Sequence, residues 1–270
     1  MKNILRTGIG MLALSVVLTA ASVVFIKAHA ATTGADAASS AEFSEKRPID
    51  AGVVNVVISG PIDLNLRQSS TPELLVKGGA KLVEHVTTRI EGNTLYVGTR
   101  GIFISIGSRQ STRVELGLPN LEKLKMEGSG DGAVKGFRGN RIELSMHGSG
   151  DLIFDGDYVQ VQSSSNGSGD LVLRIGNADR VELSSQGSGE TVAKGQTKVL
   201  NARLTGSGDL DASMLRATQA NVTSMGSSDT KVFASQDIKL KLMGSGDVVV
   251  FGKPAARDVQ RMGSGEVRWD

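Results

Sequence analysis

The chain has 270 residues but no cysteine, one Trp, two Tyr and five Pro. Without cysteine there is no disulfide framework, so the fold must be held together by burial and backbone hydrogen bonds. Charged residues make up 21% of the chain with nearly balanced signs, which argues against a disordered polyelectrolyte. No G-x-S-x-G elbow, P-loop or G-x-G-x-x-G fingerprint is present. The sequence therefore carries none of these catalytic or nucleotide-binding signatures.

The amino-terminal segment has the pattern of a secretory signal peptide. Two cations precede an uncharged, apolar stretch at 8–26, and a small-x-small site follows at 28–30. We expect residues 1–30 to be the signal peptide, cleaved between Ala30 and Ala31, and the protein to be exported to the periplasm, the outer surface or the medium. An uncleaved anchor is the alternative, because the apolar stretch is long enough to cross a bilayer. That anchor would be the only contact with a membrane.

The formal charge of +2 arises in this amino-terminal segment. Residues 1–30 contain three cations and no acid, so residues 31–270 hold 27 of the 30 cations and all 28 acids, a net charge of −1. A nucleic-acid-binding protein needs an excess of basic residues that displaces counterions from phosphates. We therefore expect no nucleic-acid partner.

Glycine is abundant, with 34 residues, and its distribution is periodic. The tetrapeptide GSGD, or its variants GSGE and GSSD, accounts for 15 of these glycines. Its eight copies begin at Gly128, Gly148, Gly167, Gly187, Gly206, Gly226, Gly244 and Gly263. Successive copies are separated by 18 to 20 residues, and such a fixed period is typical of a repeat architecture.

Apolar and polar residues alternate between the tetrapeptides, which predicts strands with one buried face. Each repeat then contributes two short strands around a glycine corner, and no stretch of 48–270 has convincing helical spacing. The pattern predicts an all-β fold, a parallel β-solenoid with coils of about 20 residues. An antiparallel sandwich or a propeller is the alternative, although a propeller blade needs about 40 residues.

The same patterns divide the chain into segments. Residues 31–47 are small and polar and predict a flexible linker. Residues 48–127 alternate but lack the tetrapeptide, which predicts irregular β coils that cap the start of the array. Residues 128–270 form the repeat solenoid, continuous with the preceding segment as one domain. At its other end we expect Trp269 in the last buried column as a lid, with Arg257 and Arg261 facing water.

The acid of each tetrapeptide is predicted to face outward, because the residues one and three positions later are predicted to be buried. Stacking would align eight carboxylates in one column: Asp131, Asp151, Asp170, Glu190, Asp209, Asp229, Asp247 and Glu266. Neighbouring carboxylates at about 4.8 Å repel by roughly 1 kcal/mol in bulk water. Hydrogen bonds from N–H groups of the acid's own turn, nearby cations, or a ladder of bound Ca²⁺ would offset this repulsion. A track for sugar hydroxyls or a cationic partner is a further alternative.

Two further stretches point to a known family. Residues 54–68 read VNVVISGPIDLNLRQ, and residues 118–131 read LPNLEKLKMEGSGD, ahead of the serial tetrapeptides. Together with the signal peptide, this pattern resembles the bacterial family described as putative auto-transporter adhesin, head GIN domain. The resemblance covers most of 43–270. It implies an exported, right-handed parallel β-helix with an adhesive role, and it brings no catalytic residues.

We therefore expect an exported, non-enzymatic β-solenoid that serves as a binding, adhesion or structural module of the cell envelope. Its partner would be an envelope or extracellular glycan or protein, and no cofactor is expected apart from the possible Ca²⁺. The alternatives are a polysaccharide-active β-helix enzyme and a calcium-binding solenoid. A groove that combines Asp with Arg or Lys would favour the enzyme, whereas a uniform acid column would favour binding.

Overall fold

The computed structural model describes residues 43–101 and 111–270. The expected signal peptide, its cleavage site at Ala30 and Ala31, and residues 31–42 of the expected linker lie outside these ranges. The predicted β-solenoid is confirmed, with stacked parallel coils in about seven turns. Within the described ranges, no helix is long and apolar enough to cross a membrane.

The described residues up to Gly128 form eight strands and one short helix. These are β1 (Phe43–Arg47), β2 (Asn55–Ser59), β3 (Ile62–Gln68), β4 (Glu73–Gly78), α1 (Ala80–His85), β5 (Val86–Glu91), β6 (Thr94–Thr99), β7 (Thr112–Leu118) and β8 (Lys123–Gly128).

The repeat array contains nine strands. These are β9 (Gly132–Gly148), β10 (Leu152–Gly167), β11 (Leu171–Gly187), β12 (Thr191–Gly206), β13 (Leu210–Gly226), β14 (Thr230–Gly244), β15 (Val248–Phe251), β16 (Ala256–Gly263) and β17 (Val267–Trp269). Each long strand begins directly after a tetrapeptide acid and ends at the first glycine of the next tetrapeptide. Each pairs in parallel with the strand of the following coil, so like positions stack in columns.

Each coil has two strand segments, which we call leading and trailing. The leading segment follows the acid, and the trailing segment precedes the next tetrapeptide. Register shifts between neighbouring coils fall between the two segments, as between Gly156 and Gln160 in β10. In the leading segment of this coil Leu152 and Phe154 are fully buried, and in the trailing segment Val161 is buried. Alternation with period two therefore places one row of side chains in the core and the other on an outer face.

The first coil is stacked out of chain order. Strand β2 pairs in parallel with β6 on one side and β8 on the other, and β3 lies between β7 and β9 in the same way. The coil made of β6 and β7 is thus outermost, although it follows β2 and β3 in the sequence. The predicted amino-terminal coils are present, but their spatial order differs from their order in the chain.

Antiparallel strands cover the amino-terminal end. Strand β4 pairs with β7, β1 pairs with β4, and β5 pairs with β6, all antiparallel. The linker predicted for 31–47 was wrong for Phe43–Arg47, because these residues pair through their backbone with β4. The expectation of no helix was also wrong at Ala80–His85, a single short helix that buries only Val83.

At the other end, the last coil places charged residues at core positions. Arg257 stands in register with Ile238, and Arg261 with Leu242. Trp269 aligns with Val250 as predicted, but its side chain is 38% exposed rather than buried. The Arg257 guanidinium lies 4.2 Å from the centre of its ring. The lid is therefore an Arg–Trp stack, and both arginines are exposed to water as predicted.

Candidate binding surfaces

The eight predicted acids stand in one column outside the glycine corner, all exposed or half-exposed. Most of the carboxylates have the same partner, the backbone N–H of the acid in the following coil. The Asp151 N–H donates to Asp131 Oδ1 at 3.0 Å, and the Asp170 N–H donates to Asp151 Oδ1 at 2.8 Å. The same bond recurs from Glu190, Asp229, Asp247 and Glu266 to the aspartate of the preceding coil.

This bond satisfies the backbone N–H of the acid, which has no partner in the parallel strand ladder. The Gly132 N–H donates to the Asp151 carbonyl of the next coil, and the Leu152 N–H donates to the Asp170 carbonyl. At the corner, the carbonyl of each acid thus accepts a hydrogen bond from a backbone N–H of the preceding coil. The N–H of the same acid donates to the carboxylate of the acid in the preceding coil. The predicted capping of each acid's own turn is therefore corrected: the hydrogen bond crosses from coil to coil. We call this repeated contact the carboxylate ladder.

The ladder begins one stacked coil earlier than predicted and has one gap. The Asp131 N–H donates to Asp63 Oδ1 at 3.2 Å, so Asp63 is an additional member. Its sequence signal is the spacing of Gly60 and Asp63, followed by Leu64 and Leu66, which matches the tetrapeptide and its buried positions. Glu190, by contrast, accepts no such bond from Asp209 in the described structure, because its side chain is one methylene longer than that of aspartate.

The glycines of the corner are required by the close stacking of the coils. Gly148 has φ of +132°, and a Cβ on it would collide with the carbonyl oxygen of Gly128. A Cβ on Gly150 would collide with the Gly130 carbonyl oxygen in the same way. Positive φ and close approach of backbones both favour glycine. The tetrapeptide is thus a stacking element, with glycines for contact and an acid for the ladder.

The carboxylate ladder also bears on metal binding. Among the described residues, no group of three or more His, Cys, Asp or Glu side chains is placed to hold a metal ion. Calcium takes about six to eight oxygen ligands. Six aspartates of the predicted column, and Asp63 before them, already use one carboxylate oxygen for a backbone donor.

The leading face is the outer surface of the leading segments. One row on it is aliphatic over four consecutive coils, with Ala133, Ile153, Val172 and Val192 in register. Around and beyond this row are five cations: Lys135, Arg174, Lys194, Lys231 and Arg268. None of the five side chains makes a hydrogen bond or an ion pair in the described structure. Two acids, Asp155 and Asp211, share the face.

The trailing face is the outer surface of the trailing segments, and several of its cations are neutralised. Lys123 is 2.7 Å from Glu143, Lys125 is 2.6 Å from Glu127, and Arg180 pairs with Glu182. Hydrogen bonds from the side chains of Lys125 and then Ser59 lower the pKa of Glu127.

Farther along the trailing face lies a shallow depression of about 650 Å³. Amide and hydroxyl side chains line it over four coils, including Gln162, Ser164, Asn201, Asn221 and Thr223. Glu182 and Arg203 are the charged residues of its lining. The sequence alternation located these outward positions, but their shared face became visible only through the register between coils.

A smaller polar pocket of about 440 Å³ lies where the first coils meet the array. Arg138, Arg141 and the Lys123–Glu143 pair line it, together with Tyr158. The Tyr158 hydroxyl donates to the Leu121 carbonyl at 2.7 Å, and burial raises the pKa of this phenol. The lining contains no aspartate. A further pocket of about 420 Å³ near the carboxy-terminal end is lined by Asp237 and Asp258 together with Lys239 and Arg257, the combination expected of a polysaccharide-active enzyme.

Comparison with known proteins gives one family and several similar folds. The profile of the family described as putative auto-transporter adhesin, head GIN domain, matches residues 54–254. No curated protein is similar enough in sequence to match the chain.

Three crystal structures share the fold. A putative adhesin from Parabacteroides distasonis is 20% identical with a TM-score of 0.77, over 85% of this chain and 97% of its own. A putative adhesin from Parabacteroides merdae is 20% identical with a TM-score of 0.76, over 85% and 96%. A putative lipid binding protein from Parabacteroides distasonis is 22% identical with a TM-score of 0.71, also over 85% and 96%.

Proposed function

Because the chain belongs to the family described as putative auto-transporter adhesin, head GIN domain, we propose that it is an exported, non-enzymatic binding module of the bacterial cell envelope. We propose further that it attaches to anionic lipid surfaces through its leading face. The observation that carries this proposal is the set of five unpaired cations around an aliphatic row on that face.

The aliphatic row selects a lipid surface over other anionic partners. Ile153 is 38% exposed, and Val172 and Val192 are half-buried in the same row. Toward the end of the array, Val249 and Phe251 continue the apolar surface. Proteins that rest on bilayers combine apolar side chains with Lys and Arg, so that burial and attraction to anionic headgroups act together. A soluble acidic polymer would use the cations and leave the aliphatic row exposed to water.

The carboxylate ladder borders this face at the corner and limits its extent. The acids lie two residues before the aliphatic row, roughly 7 Å along an extended strand. An anionic surface would repel them, so the protein would meet the lipid with the aliphatic and cationic rows while the corner turns away. The sequence alone limited membrane contact to residues 1–30, because the grouping of these cations depends on the register between coils.

A similar structure supports a lipid partner in general terms. One of the Parabacteroides distasonis proteins that share the fold is described as lipid binding. At 22% identity this likeness concerns the fold, and the assignment to the leading face rests on the residues of this chain.

The repeated architecture supports a non-enzymatic role. An active site is a single constellation, whereas the polar groups here recur from coil to coil as the carboxylate ladder and as outer rows. The competing polysaccharide-active enzyme would need a unique acid and base within reach of one bond.

Sedimentation with lipid vesicles tests the proposal. The protein, as exported and processed by the cell, is mixed with vesicles of phosphatidylglycerol and phosphatidylcholine or of phosphatidylcholine alone. We expect binding to the anionic vesicles that weakens with added salt. The double variant Arg174→Gln/Lys194→Gln should bind about tenfold to thirtyfold more weakly, because each cation near the surface contributes about 1 kcal/mol.

The matched control is Lys239→Gln/Lys241→Gln, which removes two exposed cations from the trailing face. These lysines also form no ion pair among the described residues, so the change in net charge and pairing is the same. Retention of anionic-vesicle binding by this control would place the contact on the leading face. Equal loss in both variants, or equal binding to neutral vesicles, would contradict the proposal.

A further inference from the structure

The depression on the trailing face has hydrogen-bonding groups that the protein itself does not use. The Asn221 side-chain amide donates to Asn201 Oδ1 at 2.9 Å, and Arg141 donates to Gln162 Oε1 at 2.7 Å. These bonds leave the Asn201 and Gln162 amide N–H groups and the Asn221 oxygen without a partner among the described residues. The hydroxyls of Ser164 and Thr223 add groups that both donate and accept.

The charge of this surface excludes strongly ionic partners. Glu182 and Arg203 are one acid and one base, and Glu182 is also paired with Arg180 at 3.6 Å. None of the exposed large hydrophobic side chains of the described structure lines the depression. It therefore lacks the apolar centre typical of a protein interface and the aromatic platforms on which nucleic-acid bases stack.

We propose that this depression binds a neutral polysaccharide chain lying along the solenoid axis. Sugar hydroxyls donate and accept hydrogen bonds, as the unpaired amides and hydroxyls require. The coils repeat at roughly 4.8 Å, close to the length of one sugar unit in an extended glycan. Each successive sugar then meets a pair of polar outward side chains, one from each row of the trailing segment: Gln162 with Ser164, Glu182 with Ser184, Asn201 with Arg203, and Asn221 with Thr223.

The floor of the depression adds an observation of its own. Ser163 is 3% exposed, and its hydroxyl has no hydrogen-bond partner in the described structure. The neighbouring floor positions in register are Leu183 and Ala202. Ser163 and Ala202 are small side chains in this part of the core, on either side of Leu183, and they underlie the shallow outer concavity in which the polysaccharide would lie.

Affinity electrophoresis tests the proposal with four neutral polysaccharides: amylose, laminarin, xylan and hydroxyethylcellulose. We expect at least one of them to retard the exported protein. The double variant Asn201→Ala/Asn221→Ala should bind that polysaccharide about tenfold more weakly, because it removes both central amides. Thr223→Ala is a second variant that leaves the amide pair intact and should also weaken retardation.

The control is Asn166→Ala/Gln186→Ala, two exposed amides in register on adjacent coils but outside the depression. It should be retarded like the unmodified protein, and melting temperatures recorded in parallel should be similar for all variants. Retardation by none of the four polysaccharides would overturn the inference. So would equal weakening by the control, or retardation only by an acidic polysaccharide or a peptide.

This inference does not depend on the leading face. The Asn201→Ala/Asn221→Ala variant should still bind anionic vesicles, and Arg174→Gln/Lys194→Gln should still bind the polysaccharide. Failure of either assay therefore leaves the other proposal to be judged separately.

Discussion

At the scale of the residue, side-chain length decides which acids join the carboxylate ladder. Aspartate places Oδ1 within 2.8–3.2 Å of the next coil's N–H wherever the bond forms. Glutamate stands at Glu190, where the ladder is interrupted, and at Glu266, which no coil follows in the described structure. The identity of the acid thus corresponds to the presence or absence of the bond.

Glu190→Asp should close the gap by giving the Asp209 N–H a carboxylate acceptor. We expect the free energy of unfolding to rise by about 0.5–1 kcal/mol, the usual net value of one hydrogen bond. Denaturant unfolding measures this change. Glu266→Asp makes the same substitution where no donor follows and should leave stability unchanged. Equal stabilisation by both variants would show that the ladder bond is not the cause.

The column of acids could be predicted from the sequence, but its partners could not. Spacing and alternation place eight carboxylates on one side of the coils, because both depend only on position along the chain. The donor that each one meets depends on how neighbouring coils align at the corner. Asp63 was not predicted as a member of the column, because Pro61 and Ile62 replace the Ser and Gly of the tetrapeptide. Only the first and last positions of the tetrapeptide are retained there.

At the scale of the element, the two ends of the solenoid solve the problem of unpaired strand edges in different ways. Antiparallel strands and a short helix cover the amino-terminal end. The sequence did not predict β1 because its residues are exposed or half-exposed and leave no apolar alternation. At the other end, β16 places Arg257 and Arg261 at core positions. Charged residues on the terminal strand of a sheet are a known means of preventing edge-to-edge association.

The double variant Arg257→Val/Arg261→Leu should therefore associate end to end. It would continue the apolar columns of Ile238 and Leu242 and present an unprotected edge. We expect concentration-dependent oligomers in size-exclusion chromatography with light scattering. Asp258→Val/Gln260→Leu introduces the same apolar residues at outward positions of the same strand and should associate less. A double arginine variant that stays as monomeric as its parent would contradict this role.

At the scale of the whole molecule, we propose separate tasks for the corner and the two faces. The tetrapeptide stacks the coils, the leading face presents cations and aliphatic side chains, and the depression on the trailing face presents mainly amides and hydroxyls. The sequence predicted the solenoid because eight similar spacings and an alternating core agree with each other. It did not predict the two surfaces, because their outward residues differ from coil to coil and form no repeated motif such as the tetrapeptide.

The central claim is that the tetrapeptide acids hold the coils together through the carboxylate ladder. Asn keeps an oxygen acceptor without the charge, whereas Ala removes the acceptor. The most direct measurement is thermal unfolding of the unmodified protein, Asp151→Asn and Asp151→Ala, each with and without millimolar Ca²⁺. We predict that Asp151→Asn melts near the temperature of the unmodified protein and that Asp151→Ala loses about 1–2 kcal/mol of stability. Ca²⁺ should change the melting temperature of none of the three proteins. A Ca²⁺-dependent rise in melting temperature that both variants lose would contradict the account.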